Sequence, residues 1–217
     1  APAFGVGLVG SEMCIRDSSK IDVLLNNAGG ANKTKQITTE GLEKTFATNQ
    51  MNYFVLSTEL LEIISESNDG RIVNVASNAH IGAEVDYENI NSEKSFSAWT
   101  SYCVSKLMNI MFTYQLSSIQ DKVSANVLHP GFVDTNIAGN EGNFIKYIVK
   151  LGAKMFARTV DSGADSSIYL STSDEVQNVS GKYFFKCKEI KSSRASYNKE
   201  DWQKVWDLCN EYKIKLI

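Results

Sequence analysis

The chain of 217 residues is poor in proline and histidine and has no excess of basic residues. Two prolines and 14 glycines are too few for a flexible linker or a low-complexity segment. The formal net charge of -3 does not indicate a nucleic-acid-binding surface, which needs a basic patch. No apolar run reaches the roughly 18 residues that span a bilayer. The four cysteines lack metal-ligand spacing and predict free thiols in a reducing compartment: Cys14, Cys103, Cys187 and Cys209.

Residues 1–18 lack the hydrophobic pattern of a helix or a strand. Gly5-x-Gly7-x-x-Gly10 has the glycine spacing of a dinucleotide-binding turn, but no strand pattern precedes it and no helix pattern follows it. We therefore assign it no such role. The string SEMCIRDS at 11–18 resembles a translated sequencing adapter. Our hypothesis is that residues 1–18 are an assembly artefact and that 19–217 form the domain, with an irregular N-terminal arm as the alternative.

Apolar runs and helical patterns alternate through the rest of the chain, which is 43% hydrophobic. This alternation predicts an α/β fold with a doubly wound parallel sheet in one domain. The predicted strands are Ile21–Leu25, Arg71–Ser77, Val123–His129 and Lys182–Phe185. The predicted helices cover about 39–67, 96–119, 159–172 and 199–212.

Distinctive polar and glycine residues follow the ends of three predicted strands. They are Asn26-Asn27-Ala28-Gly29, Ser77 and Pro130-Gly131. Ligands of doubly wound folds bind beyond the carboxyl ends of the strands. The sequence therefore predicts a ligand site at this edge of the sheet, although each residue taken alone is also explained by a turn or a buried polar contact.

Tyr102 and Lys106 are four residues apart in a predicted helix and would lie on one face. A nearby ammonium favours phenolate and lowers the pKa of a tyrosine, which makes Tyr102 a candidate acid/base. A packed tyrosine beside a solvated lysine is the alternative for this pair considered alone. The Trp202/Trp206 stripe, Asn89 and His80 are interpreted as structural.

Taken together, these residues resemble the short-chain dehydrogenase/reductase family. The resemblance rests on five features in order: Asn26-Asn27-Ala28-Gly29, Asn49, Ser77, Tyr102-x-x-x-Lys106 and His129-Pro130-Gly131-Phe132-Val133-Asp134-Thr135. Tyr102 follows Ser77 by 25 positions, a longer gap than is common in the family. This gap is similar to that of the retinol dehydrogenase branch. Two segments are similar to the same branch: Tyr102-Cys103-x-Ser105-Lys106-Leu107-x-Asn109 and Leu128-His129-Pro130-Gly131.

The resemblance implies an NAD(P)-dependent oxidoreductase, with NADP favoured over NAD. Tyr102 would exchange a proton with the substrate, Lys106 would lower its pKa, Ser77 would hold the substrate oxygen, and Asn49 would position a water. The residues implied to contact the cofactor are Asn26, Ala28, Gly29, Tyr102, Lys106, Pro130, Gly131, Val133 and Thr135.

The branch implies a lipophilic alcohol or its aldehyde or ketone as substrate. The resemblance implies that residues 144–158 cover the substrate. This segment is apolar with spaced cations, which fits a lipophilic substrate and peripheral contact with a membrane surface; an ordinary amphipathic helix is the alternative. We expect a protein of the cytosol or of the cytosolic face of an intracellular membrane. A carbonyl or steroid reductase of the same superfamily, or a non-catalytic binding module, is the alternative function.

The family's first strand and its Gly-rich TGxxxGxG turn have no counterpart in this sequence. The first predicted strand matches the family's fourth, so the resemblance implies a truncated chain that lacks about 60–90 residues. We expect such a chain to bind its cofactor weakly and to be poorly soluble, because the incomplete sheet would leave an apolar edge exposed.

Overall fold

Short apolar segments form one sheet in the computed structural model, which describes residues 19–131 and 160–216. The strands lie side by side in chain order, and β1 to β4 are parallel. The last strand, β5, pairs antiparallel with β4 and was not predicted from the sequence. The α/β fold with a mostly parallel sheet is thus confirmed. The strands are β1 (Val23–Asn26), β2 (Arg71–Val75), β3 (Ser124–Leu128), β4 (Tyr183–Phe185) and β5 (Lys188–Ile190).

Helices alternate with these strands. The first, here called α1, consists of consecutive helical pieces: Lys44–Phe46, a π-helical turn at Ala47–Met51, Asn52–Glu59 and Leu61–Ser65. The others are α2 (Ala98–Ile119), α3 (Val160–Thr172) and α4 (Lys199–Leu216).

The start of α1 is fixed by Glu43. Its carboxylate accepts hydrogen bonds from the backbone N–H groups of Thr45 and Phe46, at 2.9 and 3.0 Å. These bonds satisfy donors that a helix leaves unpaired in its first turn. Before Glu43 the chain turns, with Thr38 N bonded to Leu42 O at 2.8 Å, so the predicted start near residue 39 is wrong.

The core on one side of the sheet lies between α1, α2 and α4. Phe54 of α1 contacts Phe112 of α2 and Trp206 of α4, with ring centroids 5.4 and 5.1 Å apart. Trp206 also stacks on Phe112 at 6.0 Å. The interpretation of the Trp202/Trp206 stripe as core packing is therefore confirmed, since Trp202 packs against Tyr114 in the same way.

On the other side of the sheet, Arg71 holds α3 against β2. Its side chain is buried and forms an ion pair with Asp69. Its Nη1 also donates to the carbonyl oxygens of Leu170 and Ser173, at 3.1 and 2.9 Å. The guanidinium therefore connects the beginning of β2 to the end of α3.

The long segment between β2 and α2 contains two 3-10 turns, Asn78–His80 and Tyr87–Asn89. Buried Asn91 ties this segment to two other elements. Its Oδ1 accepts from the backbone N–H of Glu43 at 3.0 Å, and its Nδ2 donates to the Tyr212 hydroxyl at 2.9 Å. The segment is thus joined to the beginning of α1 and to α4.

Among the residues that the structure describes, no helix is both long and apolar enough to cross a membrane. The predicted substrate lid at 144–158 lies outside the described ranges, as do Val133 and Thr135.

Candidate active site

The parallel arrangement brings the ends of β1, β2 and β3 to one edge of the sheet. The register pairs Asn26 with Asn74 and Val75 with Leu128, so the three strands end nearly level. The loop after β1, Ser77, and the residues that follow β3 therefore emerge at the same edge, as the sequence predicts.

Helix α2 presents Tyr102 and Lys106 towards this edge. Ser97 caps the helix, because its Oγ accepts a hydrogen bond from Thr100 N at 3.3 Å. The helix therefore begins at Ala98, four residues before Tyr102. The Lys106 Nζ lies 5.9 Å from the centroid of the Tyr102 ring. The two side chains are thus neighbours on one helical face, as their spacing predicts.

Ser77 and Tyr102 meet across the gap between β2 and α2. Burial raises the pKa of the Tyr102 phenol, and a side-chain hydrogen bond with Ser77 acts in the opposite direction. This direction is opposite to the lowering expected from the Tyr/Lys pair. The reason is that removal of the phenolate from water outweighs the other influences on this group.

Lys106 is almost completely buried, and its Nζ donates to the carbonyl oxygen of Val75, the last residue of β2, at 2.9 Å. Burial lowers the pKa of Lys106 to about 7. The Nζ also lies 5.4 Å from the centroid of the Tyr53 ring. An amine with this pKa can change its protonation state near neutral pH.

Asn49, in the π-helical turn of α1, holds the loop after β1. Its Oδ1 accepts from Gly30 N, and its Nδ2 donates to Gly30 O, both at 2.9 Å. A Cβ on Gly29 would lie 3.0 Å from Asn49 Oδ1 and 3.2 Å from Lys106 Nζ. The structure therefore brings Asn49, Lys106, Tyr102 and Ser77 together beside a glycine loop.

The predicted cofactor contacts divide into three groups. Ala28 and Gly29 are exposed at the strand edge, and Pro130 and Gly131 follow β3 there, with Gly131 at a φ of 85°. The side chain of Asn26 instead is buried and donates to Ser57 Oγ and Asn74 Oδ1, at 3.0 and 2.8 Å. This commits the side chain to joining β1, β2 and α1.

Two residues of α2 that received no role from the sequence support Asn49. Ser105 Oγ accepts from Asn49 Nδ2 at 2.9 Å and donates to Tyr102 O at 2.8 Å. Asn109 Nδ2 donates to Asn49 O at 2.8 Å and to Gln50 Oε1 at 3.1 Å. The signal was present, because Asn109 lies three residues after Lys106 and so falls on a neighbouring part of the same face.

A family model described as "short chain dehydrogenase" matches residues 11–145, more than half of the chain. The chain belongs to the short-chain dehydrogenase family. The five motifs that suggested this family from the sequence all lie within residues 26–135, inside the matched range.

Within the short-chain dehydrogenase family, the chain is similar to several curated relatives. It is 35% identical over 207 residues to retinol dehydrogenase 14 from Homo sapiens, covering 94% of this chain and 61% of that protein. It is 32% identical over 194 residues to polyprenol dehydrogenase from Homo sapiens, covering 86% and 59%. It is 30% identical over 206 residues to retinol dehydrogenase 12 from Mus musculus, covering 93% and 64%. The chain thus spans about three fifths of the length of these relatives, and its resemblance to the retinol dehydrogenase branch is confirmed.

Solved structures show the same fold. A crystal structure of an uncharacterised protein from Mycobacterium paratuberculosis matches with a TM-score of 0.68 and 23% identity, covering 96% of this chain and 72% of that one. A gluconate 5-dehydrogenase from Burkholderia cenocepacia J2315, in complex with NADP and tartrate, matches with a TM-score of 0.58 and 20% identity, covering 81% and 66%. These two solved structures therefore share the fold of this chain.

Proposed function

We propose that this chain is the catalytic part of an NAD(P)-dependent oxidoreductase that interconverts a lipophilic alcohol and its aldehyde or ketone. One observation carries the proposal: Tyr102 lies beside Ser77, buried Lys106 and the glycine loop that Asn49 holds. A tyrosine, a serine and a lysine in this arrangement can move a proton to or from a substrate oxygen.

Tyr102 is the group that exchanges this proton. In reduction its phenol gives a proton to the carbonyl oxygen, and in oxidation its phenolate takes the proton of the alcohol. The Ser77 hydroxyl, beside the phenol, donates to the same substrate oxygen as negative charge develops there. Lys106 in its charged form stabilises the phenolate, because its Nζ lies 5.9 Å from the ring centroid.

The residues beyond β1 and β3 fit the nicotinamide end of a dinucleotide. Ala28 and Gly29 are exposed at the strand edge, and no side chain projects from Gly29 into the space between Asn49 and Lys106. The cofactor supplies or accepts the hydride when it is bound. We propose that Ala28, Gly29, Pro130 and Gly131 contact it, together with Tyr102 and Lys106, and that NADP is favoured over NAD.

The relatives support the lipophilic substrate class. Retinol and polyprenol, which the names of the relatives contain, are both long apolar alcohols. The apolar segment 144–158, with its spaced cations, is proposed to cover such a substrate and to contact a membrane surface. We propose that the protein resides in the cytosol or at the cytosolic face of an intracellular membrane.

The test compares the full-length protein with its Tyr102→Phe variant on a panel of retinoids, polyprenols, steroids and small carbonyls. We expect the original protein to turn over a retinoid or polyprenol with NADPH or NADP. In the variant this turnover should fall by about 100-fold or more. Cofactor binding, measured by fluorescence quenching, should remain.

Turnover that survives in Tyr102→Phe would refute the role of Tyr102. Exclusive turnover of steroids or small carbonyls would identify the alternative reductase, and absence of turnover on the whole panel would favour a non-catalytic binding module.

A further inference from the structure

His80 is buried and makes two hydrogen bonds through its ring. Its Nδ1 lies 2.7 Å from the carbonyl oxygen of Ser77, and its Nε2 accepts from the backbone N–H of Ser193 at 3.0 Å. Only about 1% of the residue is exposed. The ring therefore spans the distance between the proposed catalytic serine and a turn 113 residues away in the chain.

The two partners determine the tautomer of His80. A carbonyl oxygen can only accept, so Nδ1 must carry the hydrogen, and a backbone N–H can only donate, so Nε2 must be bare. Protonation of Nε2 would set two hydrogens against each other at the Ser193 bond. Burial lowers the pKa of His80, in agreement with a neutral ring.

Aromatic and backbone contacts hold the ring in this orientation. His80 packs edge-on against Tyr183 of β4, with ring centroids 5.3 Å apart and an interplanar angle of 71°. The Ser193 end is fixed as well, because Ser196 Oγ donates to Ser193 O at 2.7 Å and Trp202 Nε1 donates to Ser196 O at 2.6 Å. The imidazole thus joins Ser77 to a turn that α4 supports.

On the other side of the ring, Ser77 makes hydrogen bonds through both its side chain and its carbonyl oxygen. Its Oγ accepts from Ala79 N at 3.2 Å, and its side chain is near enough to the Tyr102 phenol to counteract the rise in the pKa of that phenol. Its carbonyl oxygen accepts from both Nδ1 and the backbone N–H of His80, the latter at 3.2 Å. By binding the Ser77 carbonyl oxygen, His80 restricts the backbone from which the Ser77 hydroxyl projects.

We propose that His80 is a positioning residue for the reaction, which orients Ser77 towards Tyr102 by binding the Ser77 carbonyl oxygen through Nδ1–H. This inference rests on the proposed function for its kinetic consequence. The geometry on which it stands, a single Nδ1–H tautomer bridging Ser77 and Ser193, is testable without turnover.

The first test is a long-range ¹H–¹⁵N spectrum of the ¹⁵N-labelled chain at neutral pH. The chain has two histidines, and the second provides an internal control. His129 Nδ1 accepts from Gly131 N at 3.2 Å, so a neutral His129 carries its hydrogen on Nε2. We expect opposite tautomers for the two rings. An Nε2–H tautomer or an imidazolium for His80 would overturn the proposal, whatever the activity.

The second test separates the two bonds with substitutions in the full-length protein. The amide nitrogen of His80→Asn can reproduce the Nδ1–H bond to Ser77, whereas the amide oxygen of His80→Gln can reproduce only the bond to Ser193. His80→Phe removes both and keeps the ring. We expect kcat within about threefold of the original in His80→Asn, and a fall of about tenfold or more in the other two at little-changed KM.

Melting temperatures distinguish positioning from support of the fold. If His80 only joined two segments, kcat would follow stability, and His80→Asn and His80→Gln would lose activity alike; that result would overturn the proposal. If no variant and no original protein turned over any substrate, the proposed function would fail, and the tautomer spectrum would still decide the geometry.

Discussion

Lys106 combines deep burial with a position beside the proposed proton donor. The residue is 3% exposed, and its amine donates to one carbonyl oxygen, Val75 O. Burial in the folded protein therefore disfavours the charged form of Lys106, and this lowers the pKa of its amine to about 7. In an unfolded chain the same amine has a pKa near 10.5. The difference makes the stability of the protein depend on pH.

We predict that the free energy of unfolding rises by about 1–2 kcal/mol between pH 7 and about 8.5. In this window the unfolded chain binds more protons at Lys106 than the folded chain does, so a rise in pH favours the folded state. Above pH 9 the gain is opposed, because burial raises the pKa of Cys103 to about 11 and buried tyrosines also stay protonated.

The measurement is urea unfolding at several pH values, with Lys106→Met as the comparison. The variant should show a nearly flat dependence between pH 7 and 8.5. An equal rise in the variant would show that another group is responsible.

Gly29 and Gly30 offer a matched pair of substitutions. A Cβ on Gly29 would lie 3.0 Å from Asn49 Oδ1 and 3.2 Å from Lys106 Nζ, whereas one on Gly30 meets no described atom within 4 Å. We predict that Gly29→Ala destabilises the protein by about 1–2 kcal/mol and lowers turnover, since the two side chains must shift. Gly30→Ala should leave both nearly unchanged. Similar values for the two variants in thermal melts and assays would contradict this account of the loop.

At the scale of elements, α1 and α2 are joined through the π-helical turn. Asn109 Nδ2 binds the Asn49 carbonyl, and Asn109 Oδ1 is buried with no hydrogen-bond partner in the described part of the chain. An unsatisfied buried oxygen costs free energy, so the bonds made by Nδ2 have to offset it. π-helical turns within helices are rare and frequently lie at functional sites.

We predict that Asn109→Leu lowers stability by about 1–3 kcal/mol and speeds amide exchange at residues 47–51, because the Asn49 carbonyl and the Gln50 amide lose a buried donor. Gln115→Leu on the same helix is the control. Gln203, the hydrogen-bond partner of Gln115, is exposed and can bind water instead, so Gln115→Leu should lose less stability. Urea unfolding measures the loss of stability, and hydrogen exchange by mass spectrometry measures the exchange rates. Unchanged exchange at residues 47–51 in Asn109→Leu would contradict the proposed role of Asn109 in joining α1 to α2.

Sequence reasoning found the elements but not their irregularities. The apolar period predicts α1 as one helix from about 39 to 67, whereas Glu43 starts it at Lys44 and its middle winds as a π turn. Periodicity cannot show these features, because they depend on where single hydrogen bonds go. Strand β5 was missed since Lys188–Ile190 is short and polar, and only its pairing with β4 defines it.

At the scale of the molecule, α4 covers α1 and α2. We predict that Trp206→Ala lowers the free energy of unfolding by about 3 kcal/mol, since Trp206 packs against both Phe54 and Phe112. Trp99→Ala, at a tryptophan that is 45% exposed, should change it by less than about 1 kcal/mol. Denaturant unfolding of both variants decides the matter, and equal losses would show that α4 contributes little.

The site was predictable where its residues are close in sequence or follow strand ends. Tyr102 and Lys106 were placed by helical spacing, and Ser77 by its position after β2. The bonds between Asn49 and Gly30 and between His80 and Ser193 join residues 19 and 113 positions apart, and no local pattern encodes them. His80 therefore looked structural from the sequence, where its contact with Ser77 had no visible consequence.

Asn91 has a consequence for protein engineering. One amide side chain connects the long segment before α2 to the beginning of α1 and to α4, through Glu43 N and the Tyr212 hydroxyl. Grafting this connection into a homologue with a shorter one would leave the amide without its terminal-helix acceptor. A successful chimera must therefore transfer the C-terminal helix together with the connection, as one unit.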